Sequence, residues 1–435
     1  MKRLQQTFFT FFLFVLCTVV STSFTRLSWA EEVNPYQELQ QLTDVMAIIR
    51  RNYVDEVPLK TLVDGAIRGM LASLDPHSSF LSPEDYKEMQ SDMSGEFIGL
   101  GLDVTIRDEE LMVIAPLEGS PAEKAGIIAG DRVIKIGDRN TRDIENVMDA
   151  LRLLRGKKGS SVTLTIMRDG FDVPKDFIIQ RDVIKVISVR SRTIESGYGY
   201  LRIAQFQATT AAEVSRELSR LHKANPAGLN GLILDLRNNS GGLLDQAVNV
   251  SNFFLEKGLI VYTEGREPGS QLQFSAQQRG TEPYYPLIVL INGGSASAAE
   301  IVAGALKDHG RALLLGTKSF GKGSVQTILP LRDDYGLRLT TARYFTPLGT
   351  SIQALGITPD IVVAPRLEKD RVVVRDEHFS EKNLPHHIAA GGSREPLPQG
   401  SIKKEVMSEE DNQLQYALDI LKGGHILQSA NKGQG

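Results

Sequence analysis

Three segments hold side chains whose types and spacing permit nucleophilic catalysis. The first, Asn292-Gly293-Gly294-Ser295-Ala296-Ser297-Ala298-Ala299-Glu300, lies between an apolar run and a helical pattern. A serine at a helix start faces amides and a macrodipole that favour negative charge. That suits a hydroxyl nucleophile whose substrate carbonyl becomes an oxyanion. It suits a plain helix cap equally in kind, and from this segment alone the cap is the better reading.

The second segment, Gly316-Thr317-Lys318-Ser319-Phe320-Gly321-Lys322-Gly323-Ser324-Val325-Gln326, shifts the balance. The glycines on either side of Lys322 let the backbone approach a neighbour closely. A lysine in a dry site can lose its proton and act as a general base toward a serine. Moving it from about 10.4 to near 7 costs ~4.6 kcal/mol at ~1.36 kcal/mol per unit, which desolvation can supply. Gln326 can hold the amine without adding charge. The competing reading of a lone lysine is a solvated surface residue. The third segment is Asp235-Leu236-Arg237-Asn238-Asn239-Ser240-Gly241-Gly242, a strand end running into a glycine turn.

These segments need a scaffold. The chain has 435 residues, 41 % hydrophobic and 23 % charged, with a formal net charge of −4. This is ordinary globular composition with room for several domains, and it offers no basic field for nucleic acid. Over 186–365, continuous apolar strands at 231–236, 287–291 and 313–315 alternate with helical patterns at 244–255 and 298–307, which predicts a layered α/β core. Residues 31–95 read as helical, with Leu39, Leu42, Val45, Met46 and Ile49 at helical spacing and a stop near Asp75-Pro76. Residues 366–405 are charged, contain Pro and Gly and read as a linker, before an amphipathic helix over 407–422. The N-terminal helices and the 407–422 helix are both candidates for homo-oligomer contacts.

Residues 1–30 read as a secretory signal peptide: Lys2 and Arg3, an apolar run from Phe8 to Val20, then Ser28-Trp29-Ala30 as a cleavage site. The run is shorter than the ~20 residues needed to span a bilayer, which favours cleavage over a retained anchor. The single cysteine, Cys17, lies inside it, behind a bulky Leu16 that disfavours lipidation. The mature chain then has no thiol, so no disulfide, thiolate nucleophile or Cys-ligated metal. Engagement by the export machinery and residence in a bacterial periplasm, or on the outer face of the inner membrane, are expected.

Residues 96–185 have a different pattern. Gly99-Leu100-Gly101-Leu102 precedes an alternating strand to Ile106, a strand follows at 111–115, and Ser120-Pro121-Ala122-Glu123-Lys124-Ala125-Gly126 is a short capped helix. Gly130-Asp131 turns into a strand at 132–136, then come a helix at 144–154 and a strand at 161–168. This order resembles a PDZ domain of the bacterial type. In such a domain a small-residue loop, here Gly99 to Leu102, turns backbone N–H groups toward a terminal carboxylate. The free edge of the next strand, Asp103 to Ile106, accepts an extended peptide, and the 144–154 helix forms the other wall.

The full set of motifs resembles the carboxyl-terminal processing, or tail-specific, proteases. It comprises Asp75-Pro76-His77-Ser78-Ser79, the PDZ-like order, Asp235 to Gly242, the serine motif, Phe320-Gly321-Lys322-Gly323 and Gly356-Ile357-Thr358-Pro359-Asp360. The resemblance implies a ClpP/crotonase-like α/β protease core with an inserted PDZ domain. It implies Ser297, not Ser295, as nucleophile, Lys322 as base and Gln326 as its assistant. It also implies an oxyanion hole from the Ala298 amide and one of Gly241 or Gly242, protein tails as substrates, and no metal or organic cofactor. Ala299 departs from the serine common in relatives, and Glu300 reads as structural.

Two other classes compete. A Ser-His-Asp protease needs a histidine near Ser297, and His309 would stand about 18 Å down the same helix at ~1.5 Å per residue. A non-catalytic scaffold that binds tails is opposed by the intact serine, lysine and glutamine.

Overall fold

The computed structural model describes residues 35–107, 110–117, 119–144, 147–278, 280–366, 380–388 and 411–432. The signal-peptide reading over 1–30 lies outside them. No helix among the described residues is long and apolar enough to cross a membrane. The chain divides into two compact units, up to Gly69 and from Met70.

The first unit holds α1 (Pro35–Asn52) and most of α2 (Leu59–Ala72). Leu39, Leu42, Val45 and Ile48 repeat at helical spacing on α1 and remain exposed. Arg50 and Arg51 in its last turn complement the dipole.

The second unit begins with a departure from the helical expectation for 31–95. Residues Ser79–Leu81 form strand β1 before α3 (Pro83–Ser94). Ser82 caps α3, accepting from Asp85 N at 3.2 Å, and Gly95 ends it at φ +73°.

The PDZ segment is inserted as a loop whose two ends pair. Its entry strand β2 (Glu96–Gly99) and, at the far end, its exit strand β9 (Asp182–Lys185) form an antiparallel ladder. Between them run β3 (Leu102–Arg107), β4 (Glu110–Pro116), α4 (Pro121–Lys124), β5 (Arg132–Ile136), β6 (Arg139–Asn140), α5 (Val147–Leu154), β7 (Ser161–Met167) and β8 (Lys175–Gln180). The sheet order is β3-β4-β5-β7-β8, with β6 on β5. Val104, Leu111, Val133, Leu164 and Ile166 fill its core. The helix expected from Ile144 begins later. A 3-10 turn, Thr141–Asp143, is capped by the Asn140 side chain, and Ile144 is extended at φ −99°, ψ 115°.

The core follows with β10 (Val189–Glu195), β11 (Tyr198–Ile203), α6 (Thr210–Ala224), β12 (Gly231–Asp235), α7 (Leu244–Asn252), β13 (Leu259–Gly265), β14 (Leu272–Ser275), β15 (Leu287–Ile291), α8 (Ala298–Asp308), β16 (Leu313–Gly316), β17 (Ser324–Pro330), β18 (Gly336–Phe345), β19 (Ile361–Val362) and α9 (Asn412–Lys432). One sheet has the order β10-β11-β12-β15-β16-β19, parallel from β11 onward. Strand alternation distributes its side chains to two cores. Leu232, Leu234, Val289, Ile291 and Leu314 pack with α6, α7 and α8, whereas Ile233, Ile288, Leu290 and Leu315 meet Ala417, Leu418 and Leu421 of α9. Burial on both faces explains why these strands read as unbroken apolar runs. The C-terminal helix expected at 407–422 runs instead from Asn412 to Lys432. A second, antiparallel sheet orders β1-β18-β13-β14, with β17 also on β18.

The linker reading of 366–405 also needs correcting. Part of that stretch lies outside the described residues, but 380–388 is packed into the protein, with Glu381 fully buried.

Candidate active site

Ser297 sits between β15 and α8 at the end of a turn that its own side chains tie to the main chain of the β12 loop. Asn292 Oδ1 accepts from Asn238 N at 2.9 Å and Gly294 N at 3.0 Å. Ser295 Oγ donates to Leu236 O at 2.8 Å, and Ala296 N donates to Asn239 O at 2.9 Å. Ser295 is fully buried and committed to this turn, whereas Ser297 retains partial exposure. Ser297 has φ +54° and ψ −116°, outside the extended region that a capping serine adopts. Such backbone strain in a non-glycine residue clusters at functional sites.

Glu300 converts this local strain into a site. Its Oε2 accepts from Ser297 N at 2.8 Å and from Lys322 N at 2.9 Å. Its Oε1 accepts from Ser319 Oγ at 2.5 Å and Gly321 N at 2.8 Å. One buried carboxylate thus joins the helix start to the glycine-flanked lysine loop. Burial pushes Glu300 up to about 7, and these four donors oppose that rise. Tyr344 of β18 adds a second tie. Its hydroxyl donates to Lys322 O and meets the Ser297 side chain, and burial raises its phenol well above the ordinary value.

Burial lowers the Lys322 amine, and Arg338 lowers it further; Glu381, Asp75 and Glu300 oppose them. The site is therefore not free of carboxylates, but each has its own donors. Asp75 accepts from His77 N and Ser78 N at 2.8 Å and from Ser78 Oγ at 2.7 Å. Gln326 Nε2 donates to Ser324 Oγ at 2.9 Å and reaches Thr340 Oγ1 at 3.4 Å.

The two glycines of the β12 loop lie differently. A Cβ on Gly241 would stand 2.6 Å from Ser297 Cβ and 3.0 Å from Ala298 N, whereas one on Gly242 would meet Phe206 O at 2.1 Å. Gly241 N–H donates to Asn239 Oδ1 at 2.9 Å. Among the described residues no acceptor meets the N–H of Gly242 or of Ala298. Arg237 anchors this loop from below, with its NH2 2.6 Å from both Asp235 Oδ2 and Asp411 Oδ2.

The profile of Peptidase family S41 matches residues 197–363, a PDZ domain profile matches 112–168, and a profile described as activating protease CtpB N-terminal domain matches 19–85. A carboxy-terminal-processing protease of Bartonella bacilliformis is 44% identical over 90% of this chain and 90% of its own length. A carboxyl-terminal-processing protease of Synechocystis is 37% identical over 87% of this chain and 81% of its own. This chain belongs to the carboxyl-terminal processing serine proteases. The Bacillus subtilis carboxy-terminal processing protease CtpA is a further relative, 38% identical over 72% of this chain and 66% of its own length.

In this processing protease β3 forms one edge of the PDZ sheet, paired among the described residues with β4 alone. Gly101 adopts φ +73°, and a Cβ there would stand 2.4 Å from Ser120 Cβ. Leu100 O accepts from Ala122 N at 2.9 Å, which fixes the Gly99–Leu102 loop against α4, and Leu100 and Leu102 are buried. His309 closes the far end of α8, with Nε2 2.7 Å from Leu259 O.

Sequence reasoning did not find three of these groups. Glu300 read as structural, although its place three residues after Ser297 at a helix start is the capping-box pattern. Tyr344 and Glu381 had no local signal, because only the tertiary fold brings β18 and the 380–388 segment to the lysine loop.

Proposed function

We propose that the protease is an endopeptidase working through a Ser297–Lys322 dyad on exported proteins whose C-termini are held by the PDZ domain. The observation that carries this is the shared Glu300 oxygen, which brings the main chains of both residues to one point. Burial of the Lys322 amine supports a neutral base.

Lys322 Nζ takes the Ser297 hydroxyl proton as Oγ attacks the scissile carbonyl. The oxyanion faces the amides of Ala298 and Gly242. Gly241 is present because a side chain there would fill that space. The ammonium returns its proton to the leaving amine, and an acyl-enzyme forms. Lys322 then deprotonates a water that attacks the ester, and the proton passes back to Ser297. Gln326 steadies the amine through its oxygen, its nitrogen being held by Ser324 and Thr340.

A tail adding along β3, its carboxylate at the Gly99–Leu102 amides and its last side chain toward α5, suits apolar C-termini. Export rests on the signal-like residues 1–30, and self-association on the exposed apolar face of α1. The test is cleavage of an unstructured protein with an apolar tail by the wild type, Ser297→Ala and Lys322→Ala. The dyad requires both variants to fall by at least ~10³-fold with the fold intact. Activity surviving in either one sinks it. A panel of tails ending in Ala, Val, Leu, Asp and Lys tests the PDZ reading, which equal rates for all five would reject.

A further inference from the structure

The 380–388 segment follows the core in sequence and reads as linker, yet it is built into the lysine site. Glu381 is fully buried, and a carboxylate so placed is costly unless it is well partnered. Its partners lead to the Lys322 loop. Glu381 N donates to Phe320 O at 3.1 Å. Gln353 Nε2 donates to Glu381 Oε1 at 2.8 Å, while Gln353 Oε1 accepts from Gly323 N at 2.9 Å. Phe320 and Gly323 stand on opposite sides of Lys322.

The same carboxylate is gripped from the other side. His77 Nε2 lies 2.9 and 2.8 Å from its two oxygens, and His77 O accepts from Arg338 Nε at 3.0 Å. The contact therefore joins the segment to the Asp75–Ser79 turn and to β18. At the end of the segment, Ile388 walls a cleft of about 370 Å³ with Thr340, Arg343 and Arg266. Thr340 is the residue that Gln326 touches.

The charged groups facing Lys322 are Asp75 from the turn before β1, Glu300 from α8, Arg338 from β18 and Glu381. Tyr344 reaches its carbonyl. Asp75 and Glu300 are occupied with main-chain and hydroxyl donors of the core. Of the three carboxylates, Glu381 alone follows the core strands in sequence, on the 380–388 segment, so its charge is present only while that segment is docked.

We infer that Glu381 is a positioning residue for Lys322, holding the loop on both sides of the lysine and setting a negative charge against the ammonium that forms when Ser297 gives up its proton. The inference rests on the Ser297–Lys322 reading and deepens it. Docking of 380–388 then completes the base, much as a carboxylate completes a histidine base elsewhere.

The test is steady-state cleavage of an unstructured, apolar-tailed protein by the full chain across neutral to alkaline pH. Glu381→Gln keeps shape and an acceptor for His77. Its plateau kcat should fall ~10-fold with KM within ~2-fold, because only the transition-state charge is lost. Its acid limb should move to lower pH by ~0.5 unit or more, since a negative neighbour of the amine has gone. An unchanged kcat and an unmoved limb overturn the inference. If the Gln variant fails to fold, Glu381→Asp decides. It keeps the charge, so the limb should stay while misplacement lowers kcat, and an unchanged kcat overturns the proposal. Lys382→Ala, on the exposed neighbour, should match wild type. Ser297→Ala and Lys322→Ala run alongside. Activity surviving in them removes the dyad itself, whereas two dead variants beside an unmoved Glu381→Gln profile overturn only the role of Glu381.

Discussion

Ser297 N and Lys322 N donate to the same oxygen, Glu300 Oε2, at 2.8 and 2.9 Å. The two residues proposed as the dyad are thus held together through their main chains, which leaves both side chains free of that contact. Above about pH 7, where Glu300 is ionised, both of its oxygens accept only, so an amide cannot replace the carboxylate there. Glu300→Gln turns an NH₂ toward two buried donors, each costing roughly 1–3 kcal/mol when orphaned. The expected result is a loss of ~2–4 kcal/mol in urea unfolding together with a fall in kcat of at least ~10².

Glu300 also predicts a pH dependence of stability. Burial raises it from 4.5 to about 7, so between these values the folded state holds a proton that the unfolded chain has released. Stability from this group is complete below 4.5 and declines as pH rises to about 7, by up to roughly 3 kcal/mol. Unfolding free energies of wild type minus Glu300→Gln should fall across this window and level off above it. A flat difference would contradict the burial argument.

Lys322 is lowered by burial and by Arg338. The acid limb of kcat/KM should accordingly have its midpoint below the lysine value of 10.5. Gln326→Glu places a carboxylate beside the amine and should move that limb to higher pH, with little change in melting temperature. A limb that stays in place would separate Gln326 from the amine.

Gly241 and Gly242 should fail in different ways. Gly241→Ala puts a methyl 2.6 Å from Ser297 Cβ at a φ of +103°. It should cost at least ~10² in kcat by displacing Ser297, the proposed nucleophile, and filling the space beside Ala298 N. Gly242→Ala puts its methyl 2.1 Å from the main-chain carbonyl of Phe206, which cannot swing aside as a side chain could, and should lower the melting temperature first. Equal effects on both measurements would erase the distinction.

Asp411→Ala removes one of the two carboxylates on the buried Arg237 guanidinium, leaving Asp235 in place. Asp411 is about one-third exposed, with a side-chain exposure of 36%, and this moderates the cost to ~1–2 kcal/mol. Urea unfolding should show that loss, together with earlier proteolysis at α9. A change within about 0.3 kcal/mol would mean that packing of Leu418 and Leu421 alone holds the helix.

Much of the scaffold was legible in the chain. The strand at 287–291 has the bounds its apolar run predicts, because a run buried on both faces leaves no alternation to misread, and the half-exposed strand at 132–136 keeps the bounds set by the Gly130-Asp131 turn before it and Gly137 after it. Harder were β1, three residues long beside a proline turn, and the start of α5, where an Asn140 cap makes a 3-10 turn first. Local pattern is weak where an element is short and its shape is set by a distant partner.

What the sequence determined was the pair of types proposed to react, a serine at a helix start and a lysine between glycines, together with the α/β and PDZ-like patterns that carry them. Composition and periodicity act over one element at a time, so they could state these and go no further. Only the tertiary structure decided that Ser295 is buried in the turn while Ser297 faces the lysine loop. It alone decided that Gly241 lies against Ser297, and that Glu300, Tyr344 and Glu381 meet at one lysine. The physical reason is that hydrogen-bond partners and desolvation are set by residues far apart along the chain, as His77 and Glu381 are.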